Sequence, residues 1–285
     1  MKLIRFGEAG MEKPGIHIED INYDLSAIVA DFDEFFFSGS GLKDLKEEIA
    51  KRQDSLPIIP SGTRLGSPIA RPSKIVCIGL NYADHANETN AAMPSEPVIF
   101  MKSTTSLCGP NDDIMIPRNS EKTDWEVELA VVIGKKASYV DEEEAMDYVA
   151  GYCLHNDVSE REFQLERNGT WDKGKGCDTF APLGPWMVTK DEVANPGDLK
   201  LWLKVNGNTM QNGTTANFIF NVAYVVSYVS QFMTLLPGDV ISTGTPAGVG
   251  LGMKPPVYLQ PGDIVELGID GLGTSRQNVV AFSKA

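Results

Sequence analysis

Short apolar segments, each closed by turn residues, most constrain what this chain can fold into. Residues 74–79, 97–102 and 125–133 have the length and the β-branched or aromatic content of buried strands. The 285 residues also include 27 glycines and 17 prolines, which favour turns over long helices. These patterns predict a mixed α/β fold that is mainly β.

A few segments have other local patterns. Residues 42–52 predict an amphipathic helix with leucine and isoleucine on one face, and residues 141–149 and 217–232 predict two more helices. Asn206 and Gly207 lie between two strand-like segments and fit a type I′ hairpin turn.

A break near residue 70 divides the sequence. Residues 56–72 contain four prolines and two glycines, a composition that is typical of a linker. We therefore predict a small N-terminal α+β domain over residues 1–70 and a larger domain over residues 71–285.

Charge and composition exclude several classes of function. The chain has 25 Lys+Arg against 39 Asp+Glu, a net charge of −14, so it lacks the cationic surface that nucleic acids and anionic membranes require. Residues 218–232 are too short and too polar to span a bilayer, and residues 1–10 lack an apolar signal core. The four cysteines form no CxxC pair, which favours free thiols. We expect a cytoplasmic protein.

Glu126 and Glu128 give the sharpest chemical signal. They lie two residues apart on a predicted strand and so point to one face, where neighbouring carboxylates stay ionised only in solvent or beside a cation. Oxygen ligands suit a hard ion such as Mg²⁺, Mn²⁺ or Ca²⁺, and the alternative is the polar outer face of an edge strand. Asp157 follows an apolar strand and could complete the ligand set, or it could cap a helix over residues 159–166.

Four other residues are candidates for chemistry. His85 and Glu88 would be neighbours on one helical turn, where the carboxylate could orient the imidazole as a general base; a solvated loop histidine is the alternative. Lys102 follows a strand and Lys175 lies between glycines. Either lysine could bind a substrate carboxylate or an oxyanion, or could be an ordinary surface lysine.

Thr245 lies in a glycine-rich turn that follows a predicted strand. The turn lacks the GK[ST] sequence of a phosphate-binding loop, which argues against a nucleotide. Its backbone amides and the Thr245 hydroxyl could still bind a small carboxylate.

Taken in order, these segments resemble the fumarylacetoacetate hydrolase family from about residue 74 to residue 280. The resemblance rests on five motifs: CIGLNYADH at 77–85, SEPVIFMK at 95–102, WEVELAVVIG at 125–134, GKGCDTFAPLGP at 174–185 and STGTPAGVG at 242–250. It implies a β-sandwich or β-roll catalytic domain, a homodimer, a bound divalent ion and cleavage of carbon–carbon bonds in diketo acids.

The resemblance also implies a role for each matching residue. These roles are metal ligation by Glu126, Glu128 and Asp157, general-base catalysis by His85 with Glu88, contact with the reacting carbonyl by Lys102 and Lys175, and substrate binding by Arg161, Gln164 and Thr245. The chain looks closest to bacterial 2,4-diketo-3-deoxy-L-fuconate and rhamnonate hydrolases. It departs from them at Gly176 and Cys177, where relatives more often have serine and phenylalanine.

The implied function is metal-dependent hydrolysis of the C3–C4 bond of a 2,4-diketo acid, which releases pyruvate and a carboxylic acid. The substrate would be an acylpyruvate or a 2,4-diketo-3-deoxy sugar acid. Alternatives at the same metal are oxaloacetate decarboxylation and a ureidoglycolate lyase-like reaction; a keto-acid binding protein without turnover is a third. A divalent ion on the three carboxylates, with Lys102, Lys175 and Arg161 around it, leads us to expect a positive pocket in a negative protein.

Overall fold

The structure is a computed structural model that describes residues 1–84 and 93–284. The strands are β1 Lys2–Phe6, β2 Lys13–Ile18, β3 Ile21–Asp24, β4 Leu65–Gly66, β5 Ile75–Gly79, β6 Val98–Lys102, β7 Leu107–Cys108, β8 Ile114–Met115, β9 Thr123–Asp124, β10 Val127–Ile133, β11 Val149–Asn156, β12 Ser159–Glu160, β13 Ala181–Pro182, β14 Met187–Thr189, β15 Lys200–Val205, β16 Asn208–Thr214, β17 Val240–Ser242, β18 Ile264–Ile269 and β19 Gly273–Val280. The α-helices are α1 Glu34–Ser38, α2 Gly41–Arg52, α3 Arg161–Leu165, α4 Asp172–Lys175 and α5 Val222–Ser230. The fold is mainly β with a few short helices, as predicted.

Two sheets form the body of the molecule. The larger has the order β3-β2-β1-β14-β11-β10-β17-β5-β6, with β4 beside β1, and the smaller has the order β16-β15-β18-β19-β8. The main core contains side chains from β10 and β11 of the larger sheet, β15 and β18 of the smaller sheet, and α5. A second core lies on the other face of the larger sheet, where α1 and α2 cover it.

Strand β10 is buried on both of its faces. Leu129 and Val131 join the main core, while Ala130 and Val132 join the second core. This two-sided burial explains why the strand has no polar residue beyond Glu128. Because β10 pairs with both β11 and β17, the interpretation of this segment as an edge strand is wrong.

The N-terminal strands continue the larger sheet. In β1, Leu3 pairs with Met187 of β14, and the second core mixes residues from before and after residue 70. The division into domains 1–70 and 71–285 stays a prediction, with the sheet running across its boundary.

Local patterns were predicted with mixed success. The helix over 42–52 is confirmed as α2, and the hairpin turn is confirmed by positive φ angles of 51° at Asn206 and 78° at Gly207. The helix over 217–232 is shorter than predicted, because Asn221 caps α5 through its side chain. The helix over 141–149 is a 3₁₀ run, Glu142–Tyr148.

The N-terminal end of α3 differs from the helix that was weighed for residues 159–166. Glu160, rather than Asp157, accepts the capping hydrogen bond there. Asp157 therefore does not cap this helix, which was the alternative interpretation of this residue.

The four cysteines, Cys77, Cys108, Cys153 and Cys177, are free thiols, as predicted. Among residues 1–84 and 93–284, no helix combines the length and the hydropathy that crossing a bilayer would need.

Candidate metal centre

Glu126, Glu128 and Asp157 converge where β10 lies beside the end of β11. The strand register pairs Glu128 with His155, and the Asp157 amide donates to the Glu126 carbonyl oxygen at 2.9 Å. One carboxylate oxygen of each acid lies within 4.8 Å of the others, and all three side chains are buried. Pairing of the strands therefore brings together the three acids that the sequence predicted as metal ligands.

Two lysine ammonium groups bind this carboxylate cluster. Lys102, at the end of β6, donates from Nζ to Asp157 Oδ1 at 2.5 Å and to the Val158 carbonyl oxygen at 3.0 Å. Lys175, at the end of α4, donates to Glu126 Oε2 at 2.7 Å and to Asp157 Oδ2 at 3.0 Å. Both lysines are buried, so neither is an ordinary surface lysine.

Arg161 lies on the other side of Glu126 and is held by two carboxylates. Its Nε donates to Asp124 Oδ2 at 2.8 Å, and its Nη2 lies 2.7 Å from Glu126 Oε1. Asp124 also accepts three backbone N–H groups. Sequence reasoning missed Asp124, although it lies two residues before Glu126 and extends the same alternation.

A chain of hydrogen bonds fixes the orientation of Glu128. The Ser242 hydroxyl donates to Glu128 Oε2 at 2.6 Å, and the Gly244 N–H donates to the same oxygen at 2.9 Å. His155 Nδ1 lies 2.6 Å from Ser242 Oγ; because the serine proton goes to Glu128, Nδ1 is the donor. Burial lowers the pKa of His155 to about 3, so the ring is neutral. Both donors act on Oε2, which leaves Oε1 for a cation.

The electrostatics of the cluster fit a divalent ion. Burial and the nearby carboxylates of Asp157 and Glu126 raise the pKa of Glu128 well above its usual range. Burial would also raise the pKa of Asp157, but Lys102 and Lys175 outweigh it and hold that pKa below its usual value. A hard cation would relieve this crowding of carboxylates, and oxygen ligands select Mg²⁺, Mn²⁺ or Ca²⁺.

A cavity of about 210 Å³ borders the cluster. Its polar lining comprises Glu126, Glu128, Arg161, Gln164, Lys175 and Thr245, and the remaining lining residues are glycines or apolar side chains. Gln164 accepts from Arg161 Nη1 at 3.0 Å. Arg161 and Gln164, two of the three residues that were predicted to bind the substrate, therefore both line the cavity.

Thr245 lines the cavity, but its hydroxyl is already engaged. It donates to the Val127 carbonyl oxygen at 2.9 Å and accepts from Gln211 Nε2 at 2.8 Å. A hydroxyl has one proton, so this geometry leaves none for the substrate carboxylate that Thr245 was predicted to bind.

The remaining catalytic candidates, His85 and Glu88, lie outside the described residues. Their pairing as a general base stays a prediction.

The charge of the described cluster bears on the expected positive pocket, which includes the bound ion. Asp124 and the three candidate ligands bring four carboxylates against three cations, Lys102, Lys175 and Arg161. The sequence count omitted Asp124. The cluster becomes positive only when a divalent ion adds its two charges.

Comparison with known proteins assigns the family. Residues 74–280 match the family described as fumarylacetoacetate (FAA) hydrolase C-terminal. The chain belongs to the fumarylacetoacetate hydrolase family. The match covers the region over which the sequence motifs predicted it.

Individual proteins that resemble this chain align with nearly its whole length. A Burkholderia multivorans protein, named in general terms as a proposed hydrolase, is 56 % identical over 279 residues, which are 97 % of this chain and 98 % of that protein. The fumarylacetoacetate hydrolase of Exiguobacterium antarcticum superposes with a TM-score of 0.85 at 36 % identity, covering 99 % of this chain and 100 % of that one.

A further solved structure bears on the metal. Maleylpyruvate hydrolase from Sphingobium sp. SYK-6, solved in complex with manganese(II) and pyruvate, has a TM-score of 0.83 at 28 % identity, covering 99 % of this chain and 100 % of that one. With the buried acidic triad of this chain, the similarity supports a site for a divalent metal ion in an enzyme of this family.

Proposed function

We propose that the protein is a metal-dependent hydrolase that cleaves the C3–C4 bond of a 2,4-diketo acid. The observation that carries the proposal is the buried triad of Glu126, Glu128 and Asp157, which borders a cavity beside Lys175. Membership of the fumarylacetoacetate hydrolase family and similarity to a hydrolase solved with manganese(II) and pyruvate support it. We propose Mg²⁺ or Mn²⁺ as the ion and a homodimer as the assembly.

The reaction consumes one water for each substrate molecule. Water adds to C4, the C3–C4 bond breaks, and its electron pair forms the enolate of pyruvate at C3. A proton then returns to C3, so the products are pyruvate and the carboxylic acid that contains C4. A divalent ion held by Glu126, Glu128 and Asp157 would supply Lewis-acid polarisation of the keto acid.

Residues of the chain supply the proton transfers and part of the charge stabilisation. His85, oriented by Glu88, takes the proton from the attacking water. Lys175 and Lys102 place positive charge next to the cluster, where they offset the negative charge that develops on the C4 oxygen. Their hydrogen bonds to Asp157 and Glu126 hold these ammonium groups in place before the substrate binds.

A screen for pyruvate release tests the reaction class. Acylpyruvates, 2,4-diketo-3-deoxy sugar acids and oxaloacetate are compared for pyruvate release with and without Mg²⁺, and ureidoglycolate is followed separately by the release of glyoxylate. We expect ion-dependent pyruvate release from at least one diketo acid, at a higher rate than any turnover of oxaloacetate or ureidoglycolate. A preference for either of the last two would replace the hydrolase proposal.

Two substitutions separate the metal ligands from the base. Glu126→Ala should lose the metal and the activity together, while His85→Ala should keep the metal and lose hydrolysis. Glu166→Ala is a matched control, because Glu166 is 55 % exposed and pairs with Lys122. Retention of the full rate by His85→Ala would show that the proposed base is wrong.

A further inference from the structure

Six apolar side chains supply most of the exposed surface of the cavity. These are Ile78, Leu80, Phe100, Leu165, Trp171 and Leu251. A diketo acid that places its carboxylate and keto oxygen at the metal must place its acyl group among the remaining walls. The chemistry of those walls therefore bears on which acyl group the site accepts.

Trp171, which packs against Phe100 and Gly79, builds part of this apolar wall. The Phe100 and Trp171 ring centroids lie 5.2 Å apart, and Trp171 packs so closely on Gly79 that an added Cβ there would lie 2.6 Å from its ring. Lys175 Nζ lies 4.9 Å from the Phe100 ring centroid. The aromatic surface thus begins immediately beside the charged cluster.

The polar groups of the lining are already engaged within the protein. Arg161 and Lys175 are bound to the carboxylates of the cluster, and the Thr245 hydroxyl donates its hydrogen bond to the Val127 carbonyl oxygen. Gln164 holds Arg161 with its amide oxygen, which leaves its amide nitrogen as a donor for a ligand. One amide group can serve a single carbonyl or hydroxyl, but it cannot neutralise a carboxylate.

Two cationic side chains near the cavity, Arg167 and Lys173, are also engaged within the protein. Arg167 pairs with Glu162, and Lys173 donates to the Arg167 carbonyl oxygen at 2.5 Å; neither lines the cavity. Among residues 1–84 and 93–284, a second carboxylate on the substrate would therefore meet no lining cation that lacks a carboxylate partner, and its burial against apolar side chains would be costly.

We infer that this site takes 2,4-diketo acids with a single carboxylate and an uncharged, apolar acyl group. The inference rests on the proposed function and narrows it, since it excludes the polyhydroxylated sugar acids that the resemblance suggested. It also excludes acyl groups that carry a second carboxylate. The acyl group packs against Trp171, Leu165 and Leu251, and its carbonyl lies within the polar part of the lining.

Three unreactive six-carbon 2-oxo acids test the inference by binding alone. They are 2-oxohexanoate, 2-oxoadipate with a second carboxylate, and 2-keto-3-deoxygluconate with three hydroxyls. Calorimetric titration of the Mg²⁺-loaded protein should give a dissociation constant at least about tenfold lower for 2-oxohexanoate than for the other two. Equal binding, or tighter binding of either polar acid, would overturn the inference.

Leu165 offers a position at which to reverse the preference. It lines the cavity and is 46 % exposed, so an arginine there can reach solvent and should not disturb folding. Leu165→Arg should improve the affinity for 2-oxoadipate relative to 2-oxohexanoate by about threefold or more. Leu165→Gln is the matched control without the charge. An equal shift in both variants would contradict the charge argument.

Failure of the inference can be told apart from failure of the proposed function. The function fails if no diketo acid releases pyruvate, whatever the order of the three dissociation constants. The inference fails if the enzyme releases pyruvate fastest from a dicarboxylic or sugar-derived diketo acid, because the hydrolase proposal would then stand with the opposite specificity.

Discussion

Replacing Arg161 with glutamine should destabilise the fold far more than the same change at Arg167. Arg161 is 4 % exposed and lies between Asp124 and Glu126. Arg167, six residues further along the chain, is an exposed arginine paired with Glu162. The two substitutions are chemically identical, but the two arginines differ in burial and in the number of their carboxylate partners.

The expected magnitude follows from what each substitution leaves behind. Removing one partner of a buried ion pair costs about 3–5 kcal/mol, because the remaining charge stays out of water. At Arg161 the uncompensated charge is mainly that of Glu126 Oε1, because Lys175 binds only the other oxygen of Glu126 and backbone N–H groups still hold Asp124. An exposed pair such as Arg167–Glu162 contributes about 0–1 kcal/mol.

Thermal unfolding in the presence of a chelator measures the difference without a contribution from bound metal. At about 2 °C per kcal/mol for a chain of this size, Arg161→Gln should melt about 6–10 °C below the parent protein. Arg167→Gln should melt within about 2 °C of it. Melting temperatures of the two variants that agree within about 2 °C would show that the ion pairs of Arg161 do not stabilise the fold. Substrate binding would then remain as the one role proposed for Arg161.

Two further substitutions test the site. Ser242→Ala removes the hydroxyl that orients the Glu128 carboxylate, a candidate metal ligand, so the Mn²⁺ dissociation constant should rise about 10-fold or more. Thr243→Ala removes a hydroxyl that donates to a backbone carbonyl oxygen and should leave the Mn²⁺ dissociation constant within about twofold. Gly79→Ala should push Trp171 out of place and weaken 2-oxohexanoate binding, whereas Gly39→Ala, with open space around its Cβ, should not. Unchanged ligand affinity in Ser242→Ala or Gly79→Ala would contradict these contacts.

Much of the site could be predicted because its signals are local. The two-residue period of a strand places Glu126 and Glu128 on one face, and the end of the next strand places Asp157 beside them. The turn at Asn206 and Gly207 follows from the φ angles that these residues tolerate. Five motifs were sufficient to predict the family.

Other features depend on which distant segments meet. Asp124 and Arg161 are 37 residues apart, and Ser242 and Glu128 are 114 residues apart; no periodicity predicts such pairs. The sequence therefore predicted substrate binding by Arg161 but not its two ion pairs with Asp124 and Glu126; the substrate contact stays a prediction.

The sequence by itself determined the mainly β fold, the family and the acids of the candidate metal centre, because strand periodicity and motif order are properties of the chain. Only the tertiary structure decided the interior position of β10, the engagement of the cations and the apolar walls of the cavity. The physical reason is that burial and ion pairing depend on which side chains pack together in space. An acidic chain can thus enclose lysines and an arginine where its carboxylates are most crowded.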